Sequence, residues 1–552
     1  MIIEELNMYK GYKGFIIFAL IISMVPSIID VNKNSSVANI KPISNKEIKK
    51  IVSEYKTDPR KPNNDTKYII NKKIPKLLSQ YINQKRQMTY NSDFFENIEK
   101  FEVFYYSRFD KKEDDRIAKI VASLPDAVMA EMVPEFLKPL KAEEEIKFLF
   151  DYLKYGYASY QYFGGDEVFI PVRDKLIRLL PSVTDKDNRI PLDSYIKLMV
   201  EYLKPVVVDC HFSIGDINFA GFNSYRYYYY TESIIFHKDK KGFYASNGDN
   251  KYYLKTVNGE IPNNYIKPTI TPDGSFGYII GLTSKTKIID MSVQIILGRG
   301  NDYIVENLTL KAAKKNYLKE SDLETGYRKF KEKGVTVIEN RRLYSVSNTD
   351  TELDKFISDS SSFKNDKSLI LDIRHNTGGE DNYAFNWMSG YTGEWVNPYS
   401  IFSGGLHTKT VFESKKSFNN LDYDSYEKEA QIPGWYDTGY AALDMPYRNK
   451  NLLFALIDPW VASSGETFLA LLKETQNTII VGINSCGMRL SSNNREIYLP
   501  HSKISIYCGE NLNLPSNLFW TDGVGYEPDL WVEPSLSKER LIKFIKYYGL
   551  NK

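Results

Sequence analysis

Three short stretches of this sequence hold residues whose types and spacing could do chemistry. The first is DIRHNTGG, Asp372 to Gly379, directly after the apolar run SLILDI. Two adjacent glycines let backbone N–H groups approach a ligand closely, although a Gly-Gly after a strand is also a common tight turn. The second is Ser463-Ser464-Gly465-Glu466, between the apolar run ending at Ile457 and a helical stretch. It reads as a capping box, with Ser463 as N-cap and Glu466 at the third helical position, each bonding the other's backbone N–H. An N-cap serine at the C-terminal edge of a sheet also lies where open α/β folds bind ligands. There the helix N-terminus offers N–H donors and a positive dipole end to a developing oxyanion. The third stretch is Asp209-Cys210-His211. A serine nucleophile needs a base near neutral pH, and only five histidines are available to supply it. A lone histidine is usually structural.

Elements must bring these stretches together. After Gly334 the pattern alternates strand and helix. Ser368 to Ile373, Leu452 to Ile457 and Thr478 to Ile483 are continuous apolar runs of strand length, as expected in a sheet covered on both faces. A helix from Ser464 to Glu474 separates the last two, which implies a right-handed parallel crossover. Another helix is expected from near Asp381. Upstream, Ile146, Leu149, Phe150 and Leu153, then Ile196, Met199, Val200 and Leu203, each mark one apolar helix face. Between about 212 and 310 short aromatic and β-branched runs are separated by Asn247-Gly248, Asn258-Gly259 and Asp273-Gly274, dipeptides suited to hairpin turns. Tyr225 to Tyr230 (YRYYYY) reads as a two-faced strand rather than a ligand-stacking platform.

The organisation expected is an N-terminal signal peptide or membrane anchor over 1–29, a polar linker over 30–66 and a helical region over 67–211. A β-rich central module over 212–333, a core over 334–536 and a C-terminal helix or tail over 537–552 follow. The apolar run Gly14 to Ile29 spans about 24 Å as a helix, short of a roughly 30 Å hydrocarbon core. It therefore suggests secretion or marginal anchoring, and an extracytoplasmic location, secreted or membrane-anchored. With 72 Lys and Arg against 70 Asp and Glu in 552 residues, no basic field exists to hold nucleic acid. No Asp or Glu shows metal-ligand spacing with a histidine, so neither a metal nor a cofactor is expected. Three cysteines cannot build a disulfide framework; at most one bridge and one free thiol can result.

DIRHNTGG, PWVASSGETFLALLKE, TIIVGINSCG and DGVGYEPDLWV, in this order over about 200 residues, resemble the catalytic core of the tail-specific, or C-terminal-processing, serine peptidases. The segment VVVDCHFSI is similar to the one preceding that family's central module. The resemblance implies an α/β fold with a crotonase-like (ClpP/crotonase-type) peptidase core, polypeptide substrates and no cofactor. It puts the nucleophile at Ser463 and the oxyanion hole at a backbone N–H of Gly378-Gly379 with that of Ser464. One branch uses a lysine about 25 residues after the serine; here that position is Met488, which cannot accept a proton. The histidine-using, tricorn-like branch matches His211, with Asp522 as the assisting acid and Glu527 as second choice. Cys210 stands where that branch can carry a serine, and because it adjoins the implied base while Cys486 lies two residues before Met488, a disulfide between the two is conceivable in an oxidising compartment. The central module occupies the position of a PDZ domain, but Gly281 to Ser284 (GLTS) is a weak match for a carboxylate-binding loop, and a different barrel or sandwich fits as well. Met488 and Cys210 motivate an alternative, a non-catalytic peptide- or cell-wall-binding protein on a degenerate peptidase scaffold. A crotonase-like acyl-CoA enzyme ranks below both. Oligomeric state does not follow from the sequence.

Overall fold

The computed structural model describes residues 67–552 apart from 91–96, 98–99, 105–108, 125–132, 221–225, 316, 399, 416–426, 429, 431–432, 438–445, 516–517 and 519–521. The expected N-terminal apolar segment and the polar linker lie outside the described residues, as does Tyr225. Among the described residues no helix is long and apolar enough to cross a membrane.

The chain is mixed α/β with several sheets. The sheet that matters for the site has six strands whose spatial order follows the sequence: β1 (Tyr327–Glu332), β2 (Val335–Asn340), β3 (Ser368–Asp372), β4 (Leu452–Ile457), β5 (Thr478–Gly482) and β6 (Leu530–Trp531). β1 pairs antiparallel with β2, and every later pair is parallel. Helix α1 (Asp381–Thr392) follows β3, α2 (Ser464–Lys473) joins β4 to β5, and α3 (Pro534–Tyr547) closes the chain.

The continuous apolar runs resolve into two faces because side chains alternate across a strand. Leu369, Leu371, Leu453, Ala455, Ile457 and Ile480 face a core with Phe356, Trp387 and Phe468. Ile370, Leu452, Phe454, Leu456, Ile479 and Val481 face a second core with Leu78 and Ile82, and with Leu541 and Phe544 of α3. All residues of β3, β4 and β5 are buried. Each Leu, Ile, Val or Phe among them contributes about 1.5–3 kcal/mol by leaving water.

A second sheet is antiparallel and contains Ile401–Leu406, Trp435–Asp437, Ser491–Tyr498 and Ser505–Pro515. The short strand Ser213–Ile214 pairs with Ile506 and Tyr507 in this sheet. The β-rich region forms a sheet of its own. Its eight strands run from Tyr227 to Ala312, whereas the residues at 213–218 and 327–332 join the two sheets beside the site. Hydrogen bonding between distant strands, invisible in local periodicity, decided those boundaries. Within the module Asn247-Gly248 and Asp273-Gly274 lie at hairpin turns, with φ +58 at Gly248 and +94 at Gly274. Tyr227 to Tyr230 form part of one strand with Tyr228 and Tyr229 buried. The helical region before residue 204 packs its apolar faces into a core with Ile504, Ile506 and Cys508 of the second sheet. Helix α3 begins at Pro534, three residues ahead of the expected tail.

Candidate active site

Ser463 stands six residues beyond β4, at the start of α2. Its backbone adopts φ +51 and ψ −124, a region that L residues enter only when surroundings impose it. Those surroundings are its own N–H, which donates to Met488 O at 3.0 Å, and the neighbouring Ala462 N–H, which donates to Asn376 O at 3.0 Å. The expected capping box does not form: the Ser463 side chain makes no capping bond. An N-cap hydroxyl reaches the third N–H from extended backbone, which Ser463 lacks. The hydroxyl is therefore not consumed by the helix it precedes.

Glu466 does something else. It is fully buried, accepting from Ser485 Oγ (2.6 Å), Gly487 N (2.9 Å) and Met488 N (2.6 Å). Burial pushes its carboxyl up, partly offset by those donors. Glu466 thus holds the loop 485–488 against Ser463, the loop carrying the methionine in place of a lysine. Cys210, Ala220, Ala462, Cys486 and Met488 form one small buried cluster there. The three cysteines are reduced thiols, so the conceivable Cys210–Cys486 disulfide is not made. Burial pushes the Cys210 thiol well up.

The loop after β3 lies directly against Ser463. A Cβ on Gly378, at φ +95, would come within 2.7 Å of Ala462 O, 2.8 Å of Ser464 N and 2.9 Å of Ser463 Cβ. Ser464 Oγ donates to Gly379 O at 2.7 Å. The two glycines differ in their donors. Gly378 N–H donates to Asn376 Oδ1 at 2.9 Å, while among the described residues no hydrogen bond takes the N–H of Gly379 or of Ser464. The loop is braced from below by a buried network. Asp372 accepts from Arg341 (2.9 and 3.1 Å) and from Arg374 Nε (2.8 Å), and Arg374 reaches Pro534 O at 2.6 Å. Despite complete burial, these guanidinium groups hold Asp372 far below the usual carboxylate range.

His211 is buried, and its backbone N–H donates to Asp209 Oδ1 at 2.8 Å. Burial lowers its pKa below the ordinary value, with the Asp209 charge pulling the other way, so the ring is neutral at pH 7 and able to take a proton. Among the described residues His211 Nδ1 has no hydrogen-bond partner, and no hydrogen bond joins the ring to Ser463. The next residue back is tied to the site twice. Asp522 Oδ2 accepts from Cys210 N at 2.8 Å, while Cys210 Sγ lies 3.6 Å from Gly487 O. Asp522 Oδ1 accepts from Arg489 N (3.2 Å) and Leu490 N (3.1 Å). This carboxylate therefore joins the chain at His211 to the loop at Met488. Glu527 is held elsewhere, by Lys85 (3.1 Å) and Lys267 (3.2 Å), which keep its carboxyl at about 2 although burial opposes them.

Asp209 was not singled out from sequence as a partner, nor were Asn376 and Asp458. Asp209 takes Tyr157 Oη at 2.6 Å and Ser491 Oγ besides the histidine backbone N–H. Among the described residues no group of three or more His, Cys, Asp or Glu is arranged to hold a metal ion.

Ser463, released from capping duty, thus lies against the Gly378–Gly379 loop, and Asp522 joins the backbone before His211 to the loop at Met488. Residues 329–532 match the model of peptidase family S41. The chain thus carries a peptidase family S41 domain and is a serine-type peptidase, a hydrolase of peptide bonds in polypeptides. Comparison with curated proteins finds no match. Among solved structures the chain is similar to mature CPAF at 11% identity and TM-score 0.37, covering 74% of this chain and 96% of that one. It is similar to the photosystem II D1 C-terminal processing protease at 11% identity and TM-score 0.31, covering 72% and 94%. For the tricorn protease the values are 14% and 0.27, covering 74% of this chain and 36% of that one.

Proposed function

We propose that the chain cleaves polypeptides through an acyl-enzyme on Ser463, with His211 as general base. His211 takes the hydroxyl proton as Ser463 Oγ bonds to the peptide carbonyl carbon. The tetrahedral oxyanion accepts hydrogen bonds from Gly379 N–H and Ser464 N–H. The C–N bond then breaks, and the histidine proton passes to the leaving amine. Water repeats the sequence and frees Ser463. Asp522 acts on this pair as a positioning group, through the backbone of Cys210. The observation that carries the reading is the strained, uncapped Ser463 against the Gly378–Gly379 loop, with the N–H groups of Gly379 and Ser464 taken by no acceptor among the described residues. Hydrogen bonds of such a pair tighten once substrate is bound, so the open Ser463–His211 arrangement is compatible with it.

Met488 and His211 favour the histidine-using branch of the tail-specific peptidases over the Ser–Lys branch. A crotonase-like core, an extracytoplasmic location and anchoring by the N-terminal apolar run belong to the same proposal. The test is a fluorophosphonate probe alongside hydrolysis of an unstructured polypeptide. Labelling and turnover are both expected for the wild type, and Ser463→Ala should remove labelling and cut turnover by at least about 10³-fold. A wild type that binds polypeptide but neither labels nor cleaves would instead establish the binding-protein alternative.

A further inference from the structure

We propose that Asp458 is a positioning residue for the oxyanion hole, setting the two loops of the site through His375, Tyr317 and Trp460. The proposal rests on Ser463 being the acylated nucleophile. Asp458 is the first residue beyond β4 and is fully buried. Its Oδ1 accepts from His375 N at 3.0 Å and from Trp460 N at 3.0 Å. Its Oδ2 accepts from Tyr317 Oη at 2.7 Å and lies 2.5 Å from His375 Nδ1. One carboxylate thereby joins three segments remote in sequence: the loop after β3, the loop after β4 and the stretch that leaves the β-rich module.

The aromatic groups complete the joint. The His375 ring stacks on Trp460 with centroids 5.6 Å apart, and Tyr317 meets it edge-on at 5.2 Å. Trp460 Nε1 donates to Lys315 O at 3.2 Å. His375 has φ +61, so its loop is bent into a conformation that must be held from outside. Asp458 holds the His375 backbone by a hydrogen bond and sets a carboxylate oxygen against its ring. Four residues further on comes Gly379, and three residues beyond Trp460 comes Ser463. The carboxylate touches neither reacting atoms nor oxyanion donors, yet it fixes the bases of both loops that supply them. Burial alone would favour its neutral form, but His375 and Tyr317 hold it below the usual carboxylate range, so the carboxylate is ionised. Oxyanion donors act only at close distances, and a displacement of about 1 Å can cost about 10²-fold in rate.

The test compares Asp458→Asn and Tyr317→Phe with the wild type, measuring kcat and KM separately on a polypeptide substrate. Binding of a peptidyl boronic acid, which forms a tetrahedral adduct on an active serine, is measured in parallel. Asp458→Asn keeps an oxygen for the two backbone N–H groups but removes the charge facing His375. We expect kcat to fall about 10- to 100-fold, KM to stay within about twofold, and boronate affinity to weaken in step with kcat/KM. Tyr317→Phe should lower kcat about threefold or more, with the same pattern. The proposal is overturned if kcat is unchanged, if only KM moves, or if boronate affinity is kept while kcat falls, since a merely structural role would produce those results. Should Asp458→Asn fail to fold, Tyr317→Phe decides by the same criteria. Wild-type turnover that does not depend on Ser463 would overturn the functional reading itself; Ser463-dependent turnover unaffected by both variants would overturn the positioning role alone.

Discussion

At the scale of single residues, the site is defined by which polar atoms are already engaged. Asn376 takes the N–H of Gly378, so the two glycines of one motif have different uses, and only Gly379 keeps its donor. His211 supplies a measurable consequence. Its pKa is depressed by burial, so kcat/KM should rise with pH along a limb whose midpoint lies below 6.5 and stay flat above it. The same depression affects stability. The unfolded chain binds a proton at this histidine more readily, so the contribution of His211 is fully present above its ordinary pKa and is lost as pH falls through the folded value. Chemical denaturation at pH 7 and pH 5 should show the loss, and His211→Asn should reduce the difference between the two conditions. An unchanged difference would mean that other groups dominate it.

Elements position these residues by pinning loops rather than by their own regularity. α2 carries Glu466 one turn beyond Ser463, and that carboxylate gathers three donors from the loop 485–488. Replacing it by alanine leaves Ser485 Oγ, Gly487 N and Met488 N buried without their acceptor, at about 1–3 kcal/mol for each unsatisfied group. Glu466→Ala should therefore lower the melting temperature by several degrees and abolish fluorophosphonate labelling, because Met488 O also anchors the Ser463 N–H. Labelling at the wild-type rate in a destabilised Glu466→Ala protein would show that the loop does not set the nucleophile. The strands themselves were legible: the runs at 368, 452 and 478 become β3, β4 and β5 within a residue at their C-terminal ends. Their apolar continuity is a local signal with one physical meaning, a sheet covered on both faces. The capping box misled because its S-x-x-E spacing is satisfied locally, whereas Glu466 finds better donors about twenty residues further along.

For the whole molecule, the helix at Lys76–Tyr90 packs on the six-stranded sheet although it is far upstream in sequence. Leu78 and Ile82 pack on its second face, and Arg86 pairs with Asp529 at 2.8 Å with both groups buried. Arg86 also donates to Thr478 O at 2.9 Å, and Asp529 accepts from Ile480 N at 2.8 Å, so the pair ties the helix to β5 and the approach to β6. Burial opposes ionisation of Asp529, but Arg86 and the neighbouring lysines hold it below the usual range. Removing one partner strands a buried charge. Asp529→Ala is expected to cost about 3–5 kcal/mol in urea denaturation, and a loss below about 1 kcal/mol would show that the pair is not closed off from water in solution.

By itself the sequence determined the strands, the helix after Ser463 and the paired glycines. These follow from local rules: side-chain periodicity and glycine's backbone freedom. Only the tertiary structure decided that Ser463 is uncapped, that Glu466 serves the loop of Met488, that Gly379 rather than Gly378 keeps an open N–H, and that Asp522 meets the backbone beside His211. It also revealed the Asp458 joint, whose partners at 317 and 375 lie about 140 and 80 residues away. The reason is physical: a buried carboxylate goes to whichever donors the folded chain brings within about 3 Å, and no local pattern carries that information.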